Sequence, residues 1–225
     1  MNDIATKLIT IAENQQKVYD AGYNKANENL EDFIEGSPAS LSSSNIKTIV
    51  KSAFYNMPNL TSVNFPECTS IAANAFYGCT NLTSANFPNL QFIDKQGFYN
   101  CESITSLDLP KCTTVSYRAF DGCTNLMSLD FSLKVSFGDS IFHDCTSLLA
   151  LILRYDGVCD ITSKPALANT PIAAGTGYIY VPDYYRQDYD LATNWCDFSA
   201  QFRSLEDYTV DGTTTGALDP EKIGV

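Results

Sequence analysis

The sequence predicts an α/β-type repeat fold: a solenoid of stacked parallel strands, preceded by a helical segment and closed by a C-terminal cap. Two observations carry this. Phenylalanine recurs at 54, 76, 98, 120 and 142, a step of 22 residues. Four further apolar columns keep the same step: Ile49 to Phe137, Leu60 to Leu148, Val63 to Leu151 and Phe65 to Leu153. A register held over five copies is the signature of a repeat architecture, in which each unit buries its apolar face against its neighbours.

Within one unit, Leu82-Thr-Ser-Ala-Asn-Phe87 has the form L-x-x-L-x-L, the strand signature of leucine-rich repeats. The fold class is therefore a leucine-rich-repeat solenoid with a parallel β-sheet. Its strands are expected to begin near 61, 83, 105, 127 and 149. Side chains alternate along a strand, so Ala85 and Phe87 point inward while Ser84 and Asn86 point outward. Pro66, Pro88 and Pro110 follow the strands and end them, because proline cannot donate to the ladder. The Ile-x-x-x-x-Phe segment returns along the opposite side and delivers the aromatic to the core. Asn56, Gly78, Asn100 and Gly122 share one column and suit the turn that follows.

The unit resembles the BspA-like leucine-rich repeat, whose pattern is close to I-x-x-x-A-F-x-x-C-x-x-L-x-x-L-x-L-P. Ala75-Phe76-Tyr77-Gly78-Cys79-Thr80-Asn81-Leu82 follows it position by position. The resemblance covers residues 46–158, read as five 22-residue repeats. Ser132 and Arg154 replace the proline, and Cys159 to Ala166 breaks the register, which leaves a sixth turn open. Pro171 through Trp195 is similar to the closing unit of such arrays. The resemblance implies a protein-interaction or adhesion module rather than an enzyme.

Residues 159–208 are read as the cap, with a strand at Tyr178–Val181 and short helices capped by Asp183 and by Thr193 or Asn194. Trp195, Phe198 and Phe202 are expected to lie over the last repeat. Residues 209–225 form a Thr- and Gly-rich tail. At the other end, residues 1–35 read as helix. Ile4, Leu8, Ile11 and Val18 make an apolar seam that is free to cap the solenoid or to associate as a homo-oligomer through residues 3–22. The serine-rich stretch 36–45 reads as a linker. Thr6 through Tyr23 resembles the opening of structural proteins from phages and prophages of Gram-positive bacteria.

Composition removes several function classes. The net charge of -12 disfavours nucleic acid, which binds basic surfaces. The charge is uneven. Residues 46–158 carry seven basic against nine acidic side chains, while both ends are markedly acidic. No stretch approaches the roughly 20 continuous apolar residues of a membrane span, and Met1-Asn2-Asp3-Ile4 lacks the features of a signal peptide. The expected location is a virion, or the host cytoplasm before assembly, with a bacterial cell surface as the alternative.

Eight cysteines and one histidine raise the question of metal or nucleophile chemistry. Cys79, Cys101, Cys123 and Cys145 fall on one column, with Met57 in the first repeat. Stacking spaces such thiols in a line by about 4.8 Å per rung, whereas tetrahedral zinc needs ligands converging on one point. They read as small core hydrophobes, and only Cys159 with Cys196 stays open as a bonded pair. No G-x-S-x-G, phosphate loop or H-E-x-x-H is present, and His143 reads as a surface residue beside Phe142. No catalytic residue, cofactor or metal is assigned. The candidate site is the outward strand ladder, Ser62, Ser84, Ser106 and Ser128 beside Asn64, Asn86, Asp108 and Asp130, continued by Ala150 and Ile152. Its expected partner is a protein or a cell-surface glycan. Two functional readings follow: a virion-associated host-binding protein of a phage or prophage, and a bacterial surface adhesion module.

Overall fold

The computed structural model describes residues 39–205. Each L-x-x-L-x-L segment forms a short strand, and these strands stack in parallel along one side. They are β1 (Ser40–Ser42), β3 (Ser62–Asn64), β5 (Ser84–Asn86), β7 (Ser106–Asp108), β9 (Ser128–Phe131) and β11 (Ala150–Leu153). The cap adds β13 (Tyr178–Val181) and β14 (Phe202–Ser204). Pairing joins equivalent residues 22 apart: Ser40 faces Ser62, Ser62 faces Ser84, Ser106 faces Ser128, and Ser128 faces Ala150. The strands start at 62, 84, 106, 128 and 150, so the predicted spacing holds and each start falls one residue later. No strand pairing joins β5 to β7. The break falls beside Ala85, which is half-buried where Val63 and Leu107 are buried.

A second parallel sheet lines the return side, which the sequence reading assigned only to a core-directed segment. Its two-residue strands are β2 (Thr48–Ile49), β4 (Ser70–Ile71), β6 (Phe92–Ile93), β8 (Thr114–Val115), β10 (Ser136–Phe137) and β12 (Asp160–Ile161). Between the two strand-lined sides runs one core. The phenylalanine column is fully enclosed, with Phe76 and Phe98 stacked at 5.2 Å and Phe98 and Phe120 at 5.4 Å.

The solenoid extends further than five repeats at both ends. Ser40–Ser42, expected as linker, pairs with β3 through Leu41, whose side chain is buried and extends the inward column. Beyond residue 158 the register lengthens but the stacking continues. Ser136 pairs with Asp160, a step of 24, and Ala150 with Tyr178, a step of 28. The extra residues include a 3-10 helix, Lys164–Leu167, which places Ala166 and Leu167 in the core. A register break is thus absorbed as a bulge on the edge of the rung, and a sixth rung forms.

Two left-handed positions recur in each turn. The predicted column, Asn56, Gly78, Asn100 and Gly122, is continued by Asp144, and all five have φ between 53° and 75°. Asn and Gly alternate there for a steric reason. A Cβ at Gly122 would meet Asn100 Oδ1 at 2.1 Å, because each asparagine amide lies across the next rung. The second column, Ser52, Asn74, Gln96, Arg118 and Ser140, has φ between 53° and 59° and was not foreseen. Its mixed residue types hid it.

The cap closes the core with aromatics, as expected. Trp195 packs edge-on against Phe137, Tyr189 and Phe202, and its indole N–H donates to the Cys159 carbonyl at 2.7 Å. The predicted strand at Tyr178–Val181 forms, but the predicted N-caps do not. The 3-10 helix Asp183–Tyr185 is preceded by Pro182, and the next helix, α1 (Arg186–Leu191), by Tyr185, with no side-chain cap bond in either. Asn194 takes a left-handed φ of 65° and donates its amide to the Ile161 carbonyl instead. The helix expected at 1–35, the association seam expected at 3–22 and the tail 209–225 lie outside the described residues.

Candidate functional site

The repeat places one outward column beside another on the first sheet. Asn64, Ser84, Asn86, Ser106 and Asp108 are exposed, and Ser62 is half-buried. Hydrogen bonds run from rung to rung. Ser62 donates to Ser40 Oγ at 2.8 Å, Asn64 Nδ2 to Ser42 Oγ at 3.3 Å, and Asn86 Nδ2 to Asn64 Oδ1 at 2.7 Å. Each asparagine amide has four hydrogen-bonding positions, so most of this capacity still faces outward. The ladder is polar and oriented by its own neighbours.

Its C-terminal half is different. Asp130 is half-buried and held by a two-pronged contact from Arg154, with Nε at 2.8 Å from Oδ1 and Nη2 at 2.6 Å from Oδ2. Asp108 lies beside Asp130 in the paired strand, and its carboxyl is raised by burial and by the Asp130 charge, while Arg154 opposes the shift. Ser128, expected as exposed, is buried, as are Ala150 and Ile152. The correction has a physical cause. Tyr180, with Tyr178 and Leu205 beside it, builds a second apolar cluster on the outer face around Ala150 and Ile152. The open ladder therefore ends near Asp108.

The cysteine column is structural. Cys79, Cys101, Cys123 and Cys145 each donate to a phenylalanine carbonyl, those of Phe54, Phe76, Phe98 and Phe120, at 3.0–3.1 Å. Burial pushes these thiols up, Cys79 to about 12 and Cys101 and Cys145 well above the ordinary value. A thiol so hard to ionise is a poor nucleophile and a poor metal ligand. All eight cysteines are free; Cys159 is buried and Cys196 exposed.

A further surface escaped the sequence reading. The residue after each core phenylalanine points outward, giving Tyr55, Tyr77 and Tyr99 on successive rungs. Their rings stack at 4.8 and 4.6 Å. Burial, and the neighbouring Tyr99, Tyr55 and Asp121, push the Tyr77 phenol up. The next two rungs carry Asp121 and His143 in the same column. His143 Nδ1 lies 3.3 Å from Asp121 Oδ1 and 3.2 Å from Asp144 Oδ2. His143 is thus half-buried against two carboxylates rather than a lone surface residue. Close by, Asn169 bonds Asp144 and also lines a cleft of about 510 Å³ with Thr146, Thr170, Pro171 and Thr176. The available signal was the 22-residue step itself, read on polar columns as well as apolar ones.

Among the described residues no helix is long and apolar enough to cross a membrane. Residues 43–164, more than half of the chain, match the family described as the BspA type leucine rich repeat region, in six copies. No curated protein matches the chain. Among solved structures, it is similar to the pneumococcal vaccine antigen PcpA, with 17% identity, a TM-score of 0.56, and coverage of 75% of this chain and 40% of that one. It is also similar to a leucine-rich repeat protein from Bacteroides ovatus, with 28% identity, a TM-score of 0.47, and coverage of 55% of this chain and 35% of that one. The leucine-rich repeat protein of T. pallidum matches with 21% identity and a TM-score of 0.47, over 55% of this chain and 73% of that one.

Proposed function

The chain belongs to the BspA-type leucine-rich repeat family, and from that premise we propose that it is a binding module without a catalytic step, taking a protein partner on the outward face of β3, β5 and β7. The observation that supports this most is the oriented polar ladder, in which Asn86 is tied to Asn64 and Asn64 to Ser42. A face ordered before binding loses little side-chain entropy when a partner arrives. The ladder offers no aromatic platform of the kind sugars stack on, so a protein surface fits it better than a glycan. Ser62, Asn64, Ser84, Asn86, Ser106 and Asp108 are its proposed contacts; Ser128 and Asp130 lie at its closed end.

The experiment is photo-crosslinking on intact bacterial and epithelial cells. A benzophenone side chain at position 86 is expected to capture a protein that the same group at Tyr184, on the exposed cap, does not. Equal capture from both positions overturns the reading. Capture abolished by glycosidase but not by protease replaces the protein partner with a glycan.

Two settings are proposed for this module. One is a bacterial cell surface, where an adhesion module acts, and the other is a virion, for which the likeness of residues 6–23 to phage structural proteins speaks. Immunogold labelling of cells and of induced phage particles separates them. Self-association through residues 3–22 belongs to the same proposal and multiplies weak contacts through avidity. Light scattering on the full chain tests it, and a monomer removes it.

A further inference from the structure

Two carboxylates and one imidazole converge at the end of the tyrosine column, with an arginine charge beside Asp121 and an asparagine amide bonded to Asp144. Asp121 turns Oδ2 toward Arg118 Nε at 3.3 Å and Oδ1 toward His143 Nδ1 at 3.3 Å. Asp144 accepts from Asn169 Nδ2 on Oδ1 at 2.7 Å and turns Oδ2 toward the same imidazole nitrogen at 3.2 Å. Asp144 Oδ1 is held by an amide hydrogen bond, Asp121 Oδ2 lies against the guanidinium charge, and the other oxygen of each carboxylate is nearest the imidazole. The three candidate ligand atoms lie within 4.8 Å of one another. Ligands about 2.0–2.2 Å from a zinc-like ion stand roughly 3.3–3.6 Å apart at a tetrahedral angle, close to the two nitrogen–oxygen separations seen here.

We propose that Asp121, His143 and Asp144 form a binding site for a divalent transition ion such as zinc. Imidazole with carboxylate is a donor set suited to zinc or its neighbours in the transition series rather than to calcium or magnesium. Asn169 acts as a positioning residue, fixing Asp144 as outer-shell partners do in metal sites, and Arg118 offsets part of the Asp121 charge. The charge balance is favourable. Two carboxylates and one guanidinium leave one negative charge, so a bound divalent ion leaves one positive charge. Three protein ligands leave a coordination position open. Asp121 is 5% exposed, but His143 and Asp144 are 32% and 47% exposed, so that position is reached from solvent. The cleft lined by Thr146, Asn169 and Thr170 adjoins it. An anionic oxygen from a partner is the donor this charge would draw. The site stands apart from the Ser/Asn ladder, and its test does not depend on that reading.

The test uses the untagged full chain titrated with Co²⁺, read by visible absorption, and with Zn²⁺, read by calorimetry. The expected result is one ion per chain, with d–d bands and no thiolate charge-transfer band. His143→Ala is expected to abolish binding, Asp144→Asn to weaken it by about tenfold or more, and Cys196→Ser to leave it unchanged. Melting curves check that each variant is folded, and Asn169→Ala supplies a milder variant that weakens binding with all three ligands present. Absence of binding up to about 1 mM metal overturns the proposal. Binding that survives His143→Ala, or disappears in Cys196→Ser, overturns it equally.

Discussion

Cys101 donates its thiol proton to the carbonyl oxygen of Phe76, on the preceding rung, at 3.1 Å. Both side chains are fully buried. Cys79, Cys123 and Cys145 repeat the contact with Phe54, Phe98 and Phe120. Serine at this column would bury a hydroxyl that is costlier to desolvate, and alanine would leave the carbonyl without this donor. Cysteine supplies a donor and an apolar body together.

Thiol accessibility follows directly. In the native protein at pH 8, a disulfide-exchange reagent is expected to label Cys196 quickly and the other seven thiols only on unfolding. In denaturant without reductant, all eight should react. Fast labelling of three or more native thiols, or four or fewer in denaturant, contradicts the free and buried ladder.

The same burial sets a pH dependence. Folding holds these thiols protonated: Cys68 is pushed up to about 11, and Cys79 and Cys112 to about 12. Their contribution to stability is complete below the ordinary thiol value of 9.0 and is lost as pH rises toward the folded-state values. Urea midpoints measured with reductant should be level from pH 7 to 8.5 and fall above pH 9. The fall should shrink in Cys79→Ala. A midpoint that does not change up to pH 10.5 counts against the assignment.

Phe98→Ala empties the centre of the aromatic column and is expected to cost about 3–5 kcal/mol. Phe54 is 1% exposed and stacks on both Phe65 and Phe76, so Phe54→Ala should fall in the same range. The rung at Ser40–Ser42 covers the first repeat. Urea melts of both variants check this, and a Phe54→Ala loss below about 1 kcal/mol would place that residue at a frayed end.

A buried hydroxyl joins the Trp195 and Asn194 bonds in fastening the cap to the last return strand. The Cys159 backbone N–H donates to Tyr189 Oη at 3.0 Å. Tyr189→Phe keeps the ring and orphans that donor, an expected loss of about 1–3 kcal/mol. Hydrogen exchange at Cys159 should accelerate in the variant, and unchanged exchange would show that the bond carries nothing.

Arg154 and Asp130 are 40% and 25% exposed, so the two-pronged pair contributes under about 1 kcal/mol. Its charge also opposes the burial and the Asp130 charge that raise the Asp108 carboxyl. Arg154→Ala should lose more stability at pH 7, where the Asp108 carboxyl is charged, than at pH 4, and Asp108→Asn should recover the difference. Equal losses at both pH values would show that no such repulsion exists.

Much of this fold is legible in the sequence because the core repeats. Phe54 to Phe142 and Leu60 to Leu148 declare the step, and the step fixes the strand register to one residue. Elements whose determinants do not repeat were hidden. The strand at Ser40–Ser42 reads as a serine-rich linker, because only Leu41 faces inward and its pairing energy is backbone bonding. The sixth rung was masked by the insertion near Lys164–Leu167. For the candidate site, the exposed half from Ser62 to Asp108 follows from alternation alone. The burial of Ala150 and Ile152 depends on Tyr178 and Tyr180, which belong to another unit of the sequence. His143 reads as isolated because its partner Asp121 is a full repeat away.

The claim at the centre of this account is that the Ser/Asn face binds and the rest of the solenoid supports it. The most direct measurement compares fluorescent wild-type protein with Asn64→Lys/Asn86→Lys on intact bacterial and epithelial cells, by flow cytometry. Melting temperatures are recorded alongside. Both asparagines are exposed, so the double variant is expected to melt as the wild type does while its binding falls by about tenfold or more, the equivalent of roughly 1.4 kcal/mol. Undiminished binding by a folded double variant would contradict the claim.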